Sequence, residues 1–402
     1  MRTVALIAST LLLFACRGEA PAAAQQLDQV ELDALIDSLI PSVERAAGMT
    51  FKERPKAAVR TKDQVRTFLL AKLADELPPE RLEGLSAAYR LLGLLPDTLD
   101  LGAMFVDLYT EQIAGFYEPD SLTLYAVGGS SPLALRGILS HELVHALQHQ
   151  YIALDSILDN RDDADRLAAA QAVLEGQATL VMVLTLSPDP DVLANEDAWS
   201  LLRAQLSGPA EGLDVFNNAP TVIRTGLVFP YLEGASFMRS FMLQYPGQQP
   251  FGSLMPQSTE QILHPDRLTR NDAPIALRFD DDTTGVSFED TFGEYEMLVL
   301  RSVLAGIAAI PTDVPLNWGG DRMRAYRTLD GPALVWYSVW DDQAGATNFA
   351  DHVAAGLLKL KREGYRTTIT ELPIGPRAGV QVVIAPAGWV RWGDLPVVTI
   401  RD

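Results

Sequence analysis

Two histidines four residues apart, with a glutamate directly after the first, constrain this chain more than any other feature: Leu139-Ser140-His141-Glu142-Leu143-Val144-His145. On an α-helix, residues i and i+4 stack on one face, so both imidazoles reach a single tetrahedral zinc at about 2.0–2.1 Å. Glu142, one step round from His141, misses the metal but touches its water, as a general base must. The flanking residues predict the helix that this needs. Ser131 is a fitting N-cap and Pro132 sits at the first helical position, where its missing N–H costs nothing; the expected span is about 132 to 154. At about 100° per residue, Leu139, Leu143, Val144, Leu147, Tyr151 and Leu154 share one arc. His141, Glu142, His145 and His149 share the opposite one. A solvated polar face would give the same pattern, but the chain has only five histidines.

A catalytic zinc takes three protein ligands and keeps a position open for water. Six residues after His145 stands Tyr151, which is no ligand for it. His149 is about 12 Å along the axis from His141, so one ion cannot hold all three histidines, and His149 reads as a rim residue. The third ligand is therefore expected to be acidic.

On the next helical stretch, about Asp163 to Leu186, Glu175-Gly176-Gln177-Ala178 resembles the glutamate-glycine-x-alanine signature of gluzincin metallopeptidases. The chain also resembles a group of prokaryotic exported zincins. They share the hairpin segment Ala114-Gly115-Phe116-Tyr117, the histidine helix, and the later segments Phe229-Pro230-Tyr231, Ser258 to Pro265 and Trp318-Gly319-Gly320-Asp321-Arg322. The resemblance covers about residues 55 to 345. It implies one zinc per chain held by His141, His145 and Glu175, water activated by Glu142 for attack on a peptide carbonyl, and a peptide or protein substrate lying along the strand at Gly115 and Phe116. Glu233, in Leu232-Glu233-Gly234-Ala235, repeats the local pattern and is the rival third ligand. Gluzincins often carry an acidic residue four after the third ligand to orient a zinc histidine; here it is Thr179, so that support must come from elsewhere. Tyr231 and His264, each beside a proline, are the candidate donors for the oxyanion.

Residues 1–15, with Arg2 and an apolar run too short to span a bilayer, read as an export signal. Leu13-Phe14-Ala15-Cys16 resembles the bacterial lipobox, which implies lipidation of Cys16, the sole cysteine, and membrane anchoring through residues 16–26; simple secretion is the alternative. A net charge of -20 would repel a phosphate backbone, so no nucleic-acid partner is expected.

Apolar residues recur at helical spacing from Leu27 to about Leu95, a helical lead-in. Gln112–Tyr117 and Leu122–Val127 read as a hairpin. From about 195 to 304 the signals mix helix and loop. After Pro311 the tryptophans and β-branched runs predict a hairpin over Arg322–Trp340 turning at Asp330-Gly331, a helix over Ala344–Lys361 and strands to Ile400. The expected fold is α+β: a zincin-like unit over 27–311 with its helical lead-in, and a small α+β domain over 312–402. Two functions fit, a zinc peptidase or a catalytically idle, zinc-stabilised binding or assembly lipoprotein. An intact Glu142 favours the first, since a purely structural zinc is closed by four ligands and needs no base.

Overall fold

The structure is a computed structural model that describes residues 27–401 apart from 77, 113, 114, 128–130, 159–161, 188, 189, 210, 211 and 281. The export segment, Cys16 and the tether lie outside the described residues. The N-terminal part contains α1 (Gln29–Ala47), β1 (Lys56–Arg60), α2 (Lys62–Glu76), α3 (Pro79–Leu91), α4 (Leu101–Gln112), β2 (Gly115–Glu118) and β3 (Thr123–Val127). Then come α5 (Pro132–His149), α6 (Leu154–Leu158), α7 (Ala164–Leu186), α8 (Glu196–Ser207), α9 (Asp214–Asn218) and α10 (Thr221–Gln244). The remainder holds α11 (Thr259–Leu263), α12 (Pro265–Thr269), β4 (Leu277–Phe279), β5 (Val286–Asp290), α13 (Gly293–Ala305), β6 (Trp318–Thr328), β7 (Gly331–Trp340), α14 (Gln343–Leu357), β8 (Tyr365–Ile374), β9 (Arg377–Pro386) and β10 (Val398–Ile400).

The fold is α+β, with three sheets ordered β1-β3-β2, β10-β4 and β5-β6-β7-β9-β8. The hairpin forms, β2 pairing antiparallel with β3 from Gly115↔Ala126 to Glu118↔Thr123, but its first strand is shifted from the expected 112–117: Gln112 closes α4 and Glu118 extends β2. The lead-in is not wholly helical. After Pro55, residues 56–60 run as β1, parallel to β3, a partner with which they share no local signal. In the C-terminal sheet β6 and β7 pair from Trp318↔Trp340 to Thr328↔Gly331, so the turn is Leu329-Asp330, one residue earlier than its composition predicts. That sheet also takes β5 from ahead of residue 312.

Asp321 joins this sheet to the helices. Buried on β6, its carboxylate accepts from the Phe292 and Gly293 amides at the start of α13, both at 2.9 Å, and from the indoles of Trp318 and Trp336 at 3.2 and 2.9 Å. Burial pushes Asp321 up to about 6, and the N–H donors from Gly293, Phe292 and Trp336 pull the other way, so at neutral pH the ionised carboxylate sits at the positive end of α13. Within the Trp318–Arg322 segment, Asp321 thus ties β6 to the start of α13, while Arg322 pairs with Glu289 at 2.8 Å.

The histidine helix α5 and its neighbour α7 both pack against α1. Leu139, Leu143, Val144 and Leu147 of α5 pack with Leu32, Ile36, Leu39 and Val43 of α1. Among the described residues α7 is the one helix long and apolar enough to cross a membrane, yet most of that surface is buried inside the protein. It is a core helix.

A candidate metal centre

Local chemistry starts α5 where its sequence predicts: the Ser131 hydroxyl accepts from the Ala134 amide and Pro132 opens the first turn. The helix stops at His149, short of the expected 154. The Gln150 side-chain oxygen instead accepts the Lys52 and Glu53 amides at 2.6 and 3.2 Å, and the Tyr151 hydroxyl donates to the Thr50 carbonyl at 2.8 Å. A loop distant in sequence thus ends the helix. Asp163 caps α7 through the Arg166 amide.

Two glycines decide how deep Glu175 sits. A Cβ on Gly176 would lie 2.2 Å from the Gly234 carbonyl carbon, and one on Gly234 would lie 2.1 Å from the Ala172 oxygen. The backbones of α7 and α10 therefore touch. This crossing carries Glu175 on one helix and Tyr231 on the other to the polar arc of α5, which is buried rather than solvated.

There three lone-pair atoms converge. His141 Nε2 is 3.0 Å from Glu175 Oε2, His145 Nε2 is 3.1 Å from His141 Nε2, and His145 Nε2 is 3.4 Å from Glu175 Oε2. Ligand atoms of a tetrahedral ion at the usual zinc distances stand about 3.3 Å apart, so this triangle has the size of one face of such a site. Two imidazoles and a carboxylate so close repel unless a proton or a cation lies among them. The buried His141–His145–Glu175 group can hold a metal ion.

The electrostatics follow from burial. Desolvation lowers His141 from its ordinary value, while on His145 the charges of Glu175 and Glu142 overcome burial and lift it to about 9. Burial opposes the charge of Glu175, but the two imidazoles hold its carboxyl well below the usual carboxylate range. Glu142 is pushed up to about 8, chiefly by desolvation, with His145 and the Tyr117 backbone amide pulling the other way. Its Oε2 is buried with no hydrogen-bond partner among the described residues. Tyr231 stacks over His141 at 6.0 Å, and burial and Glu175, to which its hydroxyl is hydrogen-bonded, push its pKa well up. It stays a neutral donor.

Support for His145 comes from a residue that sequence reading passed over. Gln148 Oε1 lies 2.9 Å from His145 Nδ1, and its amide nitrogen donates to the Leu174 carbonyl at 3.0 Å and to Gln177 Oε1 at 2.9 Å. A glutamine three residues after a metal-type histidine, on the same helix face, is the signal that could have found it. Thr179, where an acidic orienter often stands, is buried, and its hydroxyl has no hydrogen-bond partner among the described residues.

The other candidates scatter. Glu233 faces Arg203 in a two-pronged ion pair at 2.9 and 3.2 Å, so the structure brings Glu175, not Glu233, to the histidines. His264 ends α11 with its Nε2 3.4 Å from Glu294 Oε2, against α13 and not in the His141–His145–Glu175 group. His149 meets the Tyr117 hydroxyl at 2.9 Å. Gly115 lets β2 approach α5, since a Cβ there would lie 2.8 Å from Ile138 Cγ2. Phe116 points the opposite way, stacked on Phe68 at 5.0 Å in a separate small core. A cleft of about 1070 Å³ between α3, the start of α10 and the α14–β8 loop shares no residue with the triad.

Over residues 282–385, from β5 to nearly the end of β9, the chain matches the model of a family described as a domain of unknown function, DUF8575. The matched segment contains none of the triad. No curated protein and no solved structure matches the chain.

Proposed function

We propose that this chain is a zinc-dependent peptidase of the gluzincin type, in which His141, His145 and Glu175 hold the ion and Glu142 is the general base. The observation that carries the reading is the meeting of two kinds of group. A three-point nitrogen and oxygen face of metal-binding size stands beside a carboxylate whose Oε2 has no partner. A purely structural zinc would be closed by a fourth protein ligand, and among the described residues no fourth histidine, cysteine or acid joins the group.

Zinc, when bound, supplies the Lewis acid that polarises a peptide carbonyl and acidifies water. The protein's own residues do the rest. The Tyr117 amide fixes one oxygen of Glu142, leaving Oε2 to take the proton of the attacking water and return it to the leaving amine. Glu142, at about 8 without a metal, would be drawn down by a divalent ion held on His141, His145 and Glu175 and so be ready to accept a proton. Tyr231, neutral and next to Glu175, is placed to donate to the oxyanion as it forms. Approach is from the side of His141 and Glu175, each 7% exposed, and Tyr231, 9% exposed, because His145 is fully covered.

Metal content tests the ligand set. His141→Ala, His145→Ala and Glu175→Ala each lose most of the zinc, whereas Glu233→Ala retains it; zinc lost from Glu233→Ala alone refutes the assignment. The activity is sought on an unbiased peptide library, where cleavage stops on chelation and returns with zinc.

Anchoring belongs to the same reading, with Cys16 as the lipidated residue of the mature chain. Intact-mass measurement of membrane-extracted protein is expected to find a diacylated terminus at Cys16, and an unmodified Cys16 excludes the anchor.

A further inference from the structure

The hydrogen bonds of Gln148 continue beyond the metal centre. Gln177 Nε2 donates to Gln249 Oε1 at 2.7 Å, and Gln249 Nε2 donates to the Ala47 carbonyl, the last residue of α1, at 3.0 Å. Three side-chain amides on three segments thus link His145 to the C-terminal end of α1, the helix on which α5 packs. Gln148 and Gln177 are buried.

We infer that Gln148, Gln177 and Gln249 form a one-way chain of amides that positions His145 for metal binding, anchored on the backbone of α1. The direction follows from what each group can do. A backbone carbonyl only accepts. Ala47 O therefore draws the amide nitrogen of Gln249, which leaves Gln249 Oε1 for Gln177. Gln177 must then present its nitrogen to Gln249 and its oxygen to Gln148. The nitrogen of Gln148 is claimed twice, by Gln177 Oε1 and by Leu174 O, so its oxygen faces His145. Nδ1 must carry a proton, so the nitrogen that faces His141 and Glu175, and that a metal would take, is Nε2. A carboxylate in place of Gln148 would orient the ring equally well, but it would add a third acidic group to the buried surroundings of Glu142 and Glu175. The amides orient without charging.

This inference rests on the metal-centre reading, and its test separates the two. Zinc affinity is measured on the mature chain by competition with a chelator. Gln148→Leu is expected to bind about 10- to 100-fold more weakly than wild type. Gln249→Leu, two side chains away from the histidine, loses affinity in the same direction by a smaller factor. Thr179→Val, equally buried but outside the chain of amides, keeps wild-type affinity. In the zinc-loaded wild type a slowly exchanging imidazole N–H on His145 Nδ1 is expected by nitrogen-15 NMR, and it disappears in Gln148→Leu. If Gln148→Leu does not fold, the half-buried Gln249→Leu carries the test. Unchanged affinity in Gln249→Leu overturns the chain, even where Gln148→Leu is weakened. A wild type that takes up no zinc overturns the metal centre itself.

Discussion

Replacing Glu142 by glutamine is expected to keep the fold and the zinc while lowering turnover by a factor of about 10² or more, roughly 2.7 kcal/mol of barrier. The geometry makes this substitution clean. The new amide oxygen still accepts from the Tyr117 amide, which holds Glu142 now, and the NH₂ takes the place of the unpartnered Oε2. Size and position are kept, and only the ability to accept a proton is lost. Since burial, at 1% exposure, already pushes the wild-type carboxyl up to about 8, it is mostly neutral in the metal-free protein at neutral pH, and a neutral isostere is expected to leave thermal stability there unchanged. Peptide cleavage that chelation abolishes, yet which runs at the wild-type rate in Glu142→Gln, assigns the base to another carboxylate.

The largest effect on stability is expected at the α7–α10 crossing. Gly234→Ala drives a methyl group into the Ala172 carbonyl, 2.1 Å from where its Cβ must sit. Backbone cannot swing aside as a side-chain tip does, so the helices must part, at a cost of about 3 kcal/mol. The same displacement takes Tyr231 away from Glu175 and weakens metal retention. Gly226 is the internal control. It is exposed in the same helix with nothing within 4 Å of an added Cβ, so Gly226→Ala is expected to stabilise by about 0.5–1 kcal/mol. Denaturant midpoints at unchanged slope measure both. Equal midpoints for the two variants would refute the steric account.

The reach of the sequence was set by how local each signal is. The histidine helix, its Ser131-Pro132 start and the hairpin at β2–β3 are readable because spacing and turn chemistry act over a few residues. Glu175 could be named only through a resemblance, since no spacing rule says which acid crosses back to a given helix. What went unread was non-local. β1 has no strand pattern and exists because β3 offers it an edge. The end of α5 at His149 depends on residues 50–53 bonding to Gln150 and Tyr151. The repeated Glu-Gly-Ala pattern at 175 and 233 looked like two rival ligands; it is a pair of glycines meeting at a crossing, which leaves one glutamate inside the site and the other facing Arg203. Tyr231 and His264 were indistinguishable in sequence, both polar residues beside prolines, and only packing separates the one over His141 from the one against Glu294.

The hydrogen bond from Gln249 to the Ala47 carbonyl has a thermodynamic corollary. If docking of α1 strengthens the hold on the ion by some factor, occupancy by the ion must strengthen docking of α1 by the same factor, because the two equilibria share one cycle. The first helix of the described residues, α1, is then a reporter of the metal centre as well as a support for it. Starved of metal, the protein is expected to hold α1 less tightly.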